Sequence, residues 1–105
     1  MKDRINYDFA KEFTENPGPR YRTLGDKSGE EFREDVLKPL LKEYKFIDID
    51  GTGITSSFNP SFLSEAFGKL TIDLGGYENL LRRIRLYSTK NPKLEEKFRS
   101  YLPKS

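Results

Sequence analysis

The sequence predicts an α/β fold, a small mixed four-stranded sheet with about three helices, in one domain spanning residues 1–105. Three observations carry this. Residues 46–50 and 84–88 alternate between apolar and polar side chains, the period-two mark of half-buried strands. Other stretches space their apolar residues helically, and each opens on a start signal: Ser28 with Glu31, Asn59-Pro60, and Asn91-Pro92. The order of elements is strand, strand, helix, strand, helix, strand, helix. Helical crossovers in that order favour parallel pairs.

Ile5, Tyr7 and Phe9 alternate, so 4–10 reads as a first strand, suited to an edge. The run 15–20, ENPGPR, is a turn, because proline and glycine constrain the backbone on each side. Arg20-Tyr21-Arg22-Thr23-Leu24 alternates briefly and reads as a second strand with Tyr21 inward. Residues 29–43 form an amphipathic helix presenting Phe32, Val36, Leu37, Leu40, Leu41 and Tyr44. Pro39 kinks or restarts it, since proline lacks the amide donor and its ring meets the Asp35 carbonyl. Phe46-Ile47-Asp48-Ile49-Asp50 is the interior strand. Gly51 and Gly53 relieve the backbone as it exits, and the spacing is not a dinucleotide fingerprint.

Asn59 caps the next helix and Pro60 occupies its first position. Phe62, Leu63, Ala66, Phe67 and Leu70 share one face, and Gly75-Gly76 stops the run. A short helical turn at 77–82 leads into the strand 84–88. Leu94, Phe98, Tyr101 and Leu102 line one face of a last helix that ends before Pro103.

Composition narrows the chemistry. The chain lacks both cysteine and histidine, which excludes disulfides, thiolate metal sites, cysteine nucleophiles and imidazole bases. No metal site and no cofactor is expected. Charged residues are 34% of the chain, yet 19 basic against 17 acidic groups leave only +2, weak support for a nucleic-acid partner. No run is apolar enough to span a membrane, and the first residues lack the apolar core of a signal peptide, so a cytoplasmic protein is expected. Eight phenylalanines and no tryptophan point to a phenylalanine-filled core.

Several segments together carry a family likeness: Pro19-Arg20-Tyr21-Arg22, Ser28-Gly29-Glu30-x-Phe32-Arg33, Ile47-Asp48-Ile49-Asp50-Gly51-Thr52-Gly53 and, most specifically, Ser61-Phe62-Leu63-x-Glu65-Ala66-Phe67-Gly68. They resemble the small bacterial STAS-like domains of unknown function over about residues 5–102. Those are similar in fold to anti-sigma-factor-antagonist STAS domains. There, a strand enters an Asp-Ser-Ser-Gly loop at a helix N-terminus, and a GHKL-type ATP-binding partner phosphorylates a serine of the loop. The motif is absent here. Aligning the helices sets Asn59, Pro60, Ser61 and Phe62 against it, whereas counting from the strand brings Thr55, Ser56 and Ser57 there.

The resemblance implies a non-enzymatic regulatory domain that binds a kinase-like ATP-binding protein through the loop and helix 54–67. Its contact residues would be Thr55, Ser56, Ser57, Phe58, Ser61, Phe62 and Glu65, with Phe58 or Phe62 exposed at the surface. Ser56, Ser57 and Ser61 are the candidate phosphorylation sites. A phosphoryl group there adds nearly two negative charges beside a helix N-terminus. The alternative is a nucleic-acid-binding domain that uses two arginine clusters, Arg20, Arg22 and Arg33, and Arg82, Arg83 and Arg85. Asp48 and Asp50 share one side of a strand, but with Glu65 they make a sparse carboxylate set for acid–base or metal chemistry.

Overall fold

The computed structural model describes residues 1–104. Three parallel strands form one sheet: β1 (Lys2–Asp8), β2 (Tyr44–Asp50) and β3 (Ile84–Tyr87), in that order. β2 is central, with Ile5 opposite Ile47 on one side and Ile49 opposite Leu86 on the other. Among the described residues five helices accompany them: α1 (Phe9–Glu12), α2 (29–43), α3 (60–73), α4 (Tyr77–Leu81) and α5 (Lys93–Ser100). No helix among these residues is long and apolar enough to cross a membrane.

The expected fourth strand does not form. Arg22–Leu24 is a single 3₁₀ turn, with Tyr21 40% and Leu24 68% exposed. The reason lies next door, at the start of α2. The Pro19 and Arg20 carbonyls accept the amides of Gly29 and Glu30, and the Glu30 carboxylate accepts the Arg22 amide. The segment thus serves helix-start donors that have no partner inside the helix, and its backbone is not free for a sheet. With that strand gone the sheet is wholly parallel, not mixed. β1 also ends earlier than expected. Asp8 accepts the Lys11 amide and caps α1, so Phe9 opens a helix instead of continuing the strand.

α2 starts at Ser28, whose side chain accepts the Glu31 amide as the capping box predicts. It runs through Pro39 without breaking. The turn Arg33–Leu37 widens to a π-turn, with the Lys38 amide on the Arg33 carbonyl. That wider turn absorbs the proline ring's conflict with the preceding carbonyl. α3 has a similar π-turn at Ser64–Gly68. It stops at Gly75 and Gly76, both at positive φ, where a side chain would be strained.

One face of the sheet carries the core. Ile47, Ile49, Ile84 and Leu86 are buried there beneath Phe9, Phe32, Phe62 and Phe67. The other face keeps Arg4, Phe46, Asp48 and Arg85 toward solvent. Arg4 pairs with Asp48 at 3.1 Å and lies over Phe46, and Arg85 lies over Tyr87. The phenylalanines form a continuous edge-to-face and tilted network. Phe9 alone meets Phe13, Phe32, Phe58 and Phe62 at 4.8–5.9 Å between ring centres.

α2 and α3 touch closely at Gly29, where an added Cβ would stand 2.7 Å from the Phe62 carbonyl oxygen and 3.2 Å from the Glu65 Cβ. Gly29→Ala is therefore expected to destabilise the fold by about 1–3 kcal/mol, measured by urea denaturation. Alanine would otherwise favour a helix by roughly 0.5–1 kcal/mol, so the sign of the change is diagnostic.

Tyr7 is half-buried beside Phe32, and its phenol is pushed up to about 12 by burial and then by the Glu12 carboxylate. The phenol stays neutral in the folded chain while the unfolded chain ionises near 10.0. Stability is therefore full below pH 10, falls as pH rises toward 12, and levels off above it. The loss attributable to Tyr7 is expected to be about 1 kcal/mol after allowance for screening around a half-exposed ring. Tyr7→Phe should remove that part of the alkaline slope in urea titrations across this range.

Candidate functional site

The loop between β2 and α3 is held at four points. At the strand end, Asp50 accepts the Thr52 amide at 2.9 Å and also the Thr52 hydroxyl. The Gly51 amide reaches the Tyr87 carbonyl at 2.8 Å and carries the ladder one residue past β2. Further on, the Thr55 amide donates to the Glu15 carbonyl, and its hydroxyl to the Asn16 side chain at 2.7 Å. Phe58 is buried as a plug against Phe9 and Phe62. Asn59 then caps α3 by accepting the Phe62 amide at 2.7 Å, and donates to the Gly18 carbonyl at 3.0 Å. These pins leave Ser56 and Ser57 exposed between them, their hydroxyls without a protein partner among the described residues.

The sequence-predicted contact residues therefore separate into two groups. Thr55, Ser56 and Ser57 are exposed, and Ser61 is half-buried in the first turn of α3. Phe58 and Phe62 are not: they are 1% and 0% exposed, which corrects the expectation that one of them offers a docking surface. Seven phenylalanine rings share one core, and the loop must deliver Phe58 into it to close over Phe9.

Glu65 is buried as well, and its role is internal. Its carboxylate takes the Arg33 guanidinium at 2.6 Å, with Lys69 at 3.6 Å and Arg20 at 3.7 Å. Arg33 also donates to the Glu65 carbonyl. Burial acts to lower the Arg33 pKa, but hydrogen bonds to Glu65 and Glu34 outweigh it and raise the pKa. Asp48 and Asp50 are likewise spoken for, by Arg4 and by Thr52.

Four of the six arginines in the two clusters, Arg20, Arg22, Arg33 and Arg85, face a carboxylate, and the other two are hydrogen-bonded to neutral groups. Arg22 pairs with Asp35 at 2.7 Å, Arg33 with Glu34 and Glu65, and Arg85 with Glu95. Arg82 donates to Asn79. Arg83 is a structural brace: its guanidinium donates to the carbonyls of Leu41, Tyr44 and Lys45, where α2 ends and β2 begins. Such use of arginine at helix carbonyls satisfies acceptors that the helix itself leaves open.

Beside the loop lies a cleft of about 200 Å³ at the carboxyl ends of β2 and β3. Gly51, Phe58 and Leu94 form its floor; Ser56, Ser57, Ser88, Lys90 and Lys97 stand around it. A Cβ on Gly51 would lie 3.0 Å from both Leu94 and Phe58, so any larger residue would press the floor side chains apart by a few tenths of an ångström. Sequence reasoning missed Ser88, Lys90 and Lys97. They are about thirty residues or more from the loop in the chain, and only the β2–β3 pairing brings them together. The signal available was topological, since parallel sheets open their crevices at the carboxyl ends of strands.

A family model described as a STAS-like domain of unknown function (DUF4325) matches residues 28–94. The match takes in α2, β2, the pinned loop, α3, α4, β3 and the first residues of α5. No curated protein and no solved structure matches the chain.

Proposed function

This chain belongs to the family of STAS-like domains of unknown function, and on that premise we propose that it is a non-enzymatic regulatory domain that meets a protein partner through the loop 51–57. The observation that carries the reading is the exposure of Thr55, Ser56 and Ser57 at the end of the central strand, in a loop anchored on both sides. A rigid polar knob loses little conformational freedom when a partner closes over it. Of the expected contact residues within α3, only Ser61 extends this surface, because Phe62 and Glu65 belong to the interior.

The reading is non-enzymatic because the acidic groups nearest in sequence are engaged: Asp48 by Arg4, Asp50 by Thr52 and Glu65 by Arg33. The partner proposed is a kinase-like ATP-binding protein of GHKL type. It would transfer the terminal phosphoryl group of ATP to the Ser56 or Ser57 oxygen, releasing ADP and the hydroxyl proton to its own base. The added charge would then turn the partner away from the same surface.

The test is affinity capture of the tagged chain from its native lysate, with intact-mass analysis of the bait. Wild-type chain is expected to retain an ATP-binding protein, with a bait fraction about 80 Da heavier that maps to Ser56 or Ser57. Ser56→Asp combined with Ser57→Asp should lose the partner, while Phe46→Ala on the solvent face of the sheet keeps it. A partner held equally by all three chains would overturn the assignment to the loop.

A further inference from the structure

We propose that the cleft at the carboxyl ends of β2 and β3 is a phosphoryl-binding site. The proposal goes beyond the partner reading and does not rest on it.

Three features converge there. Lys90 and Lys97 both line the cleft, and among the described residues neither has a carboxylate at salt-bridge distance. That contrasts with the arginines, most of which are paired with acids. Lys97 is half-buried, and its ammonium donates to the Phe58 carbonyl, which holds its charge at the wall of the cleft. An ammonium with three donors spends one on that carbonyl and keeps two.

The second feature is the hydroxyl set. Ser88 accepts the amides of Lys90 and Asn91 at 3.1 and 3.0 Å, which leaves its hydroxyl proton free to donate. Ser56 and Ser57, which also line the cleft, bring two more uncommitted hydroxyls. The third feature is that no acid among the described residues lines this rim. Asp50, on the adjoining strand end, faces the Thr52 amide and hydroxyl, and Glu95 on α5 is taken by Arg85 and Arg99.

Two cations with hydroxyl donors around a small apolar floor suit a tetrahedral dianion better than a planar carboxylate. It offers three oxygens to donors arriving from several directions. The volume holds a phosphoryl group with a small organic remainder. The group could reach the cleft on a free compound, or on Ser56 or Ser57 of the loop itself.

Inorganic phosphate is the probe, titrated against chloride at matched ionic strength and followed by amide NMR. Saturable shifts are expected at Ser56, Ser57, Ser88 and Lys90. Lys97→Gln should weaken binding about tenfold and the more exposed Lys90→Gln about threefold. Lys2→Gln, on β1, should change nothing. Lys90→Gln leaves the Lys97–Phe58 bond intact and so keeps the test sound if Lys97→Gln disturbs folding.

Chain carrying phosphoserine at position 57 distinguishes the two sources. If the phosphoserine fills the cleft, its ³¹P titration moves to lower pH in a Lys97-dependent way and inorganic phosphate no longer binds. If phosphate binds as before, the ligand is a free compound. Non-saturating shifts spread over all lysines, or binding unchanged in both cleft lysine variants, would overturn the site.

Discussion

Phe9→Ala is expected to destabilise the domain by about 3–5 kcal/mol, the range for deleting a large aromatic from a packed core. Phe9 is fully buried and touches four other rings, at 4.8 Å from Phe58, 5.0 Å from Phe32, 5.3 Å from Phe13 and 5.9 Å from Phe62. Those rings come from the turn after α1, from α2, from the loop and from α3, so truncation leaves a void that no single element can move to fill. Edge-to-face contacts would be lost in addition to apolar burial. The measurement is urea denaturation followed by circular dichroism. Because Phe58 is the loop's inner anchor, proteolysis within 51–57 should also quicken in this variant. A loss below about 1 kcal/mol would mean that the ring cluster is loosely packed.

Glu65→Ala should cost a similar amount, about 3–5 kcal/mol, for an electrostatic reason. The carboxylate is 1% exposed and is the shared counter-charge of Arg33, Lys69 and Arg20. Removing it leaves Arg33, whose side chain is only 11% exposed, with Glu34 as its remaining carboxylate partner. One carboxylate oxygen, Oε1, lies near Arg20 without a full hydrogen bond, so the pair is not an ideal one. Replacing Arg33 and Glu65 together by methionine and leucine is therefore expected to recover much of the loss. The double-mutant cycle, read by urea denaturation, should give a coupling of about 2 kcal/mol or more. Additive losses would show that the two side chains act independently. Salt should change this coupling little, since a buried pair is poorly screened.

The Glu65 cluster also ties the segment before α2 to α3. Arg20 reaches Glu65, the Pro19 and Arg20 carbonyls take the first amides of α2, and Asn59 reaches the Gly18 carbonyl. Residues 15–22 thus form a strap that braces the α2 start and the loop together. In Glu65→Ala, hydrogen exchange at the Gly29 and Glu30 amides is expected to rise before exchange in β2 does.

Several elements could be read from the chain because their determinants lie within a few residues. Ser28 with Glu31 and Asn59-Pro60 mark helix starts through contacts three positions away, and Gly75-Gly76 mark a helix end through their positive φ. The alternations at 46–50 and 84–88 mark strands for the same reason, since period two is local. The phenylalanine count foretold the material of the core, and the Ser61–Gly68 motif indicated the family that the match to residues 28–94 shows.

What failed did so where a distant partner decides. Arg20–Leu24 alternates like a strand, but the open amides of α2 claim its carbonyls first. Phe58 and Phe62 flank a polar loop and read as a surface, yet the rings of Phe9 and Phe32 draw them inward. Glu65 is one turn from Ser61 in the helix, but a guanidinium 32 residues away in sequence outbids any local bond.

The amino-acid sequence by itself determined the helix starts at Ser28 and Asn59, the stop at Gly75-Gly76, the strands β2 and β3, the composition of the core and the hydroxyl loop at the end of β2. Those follow from short-range hydrogen bonding and periodicity. Only the tertiary structure decided which hydroxyls remain outside, which carboxylates are spent inside, and that Lys90 and Lys97 line one cleft with Ser56 and Ser57. Burial and charge pairing are properties of neighbours in space, and here the parallel pairing of β2 with β3 chooses the neighbours.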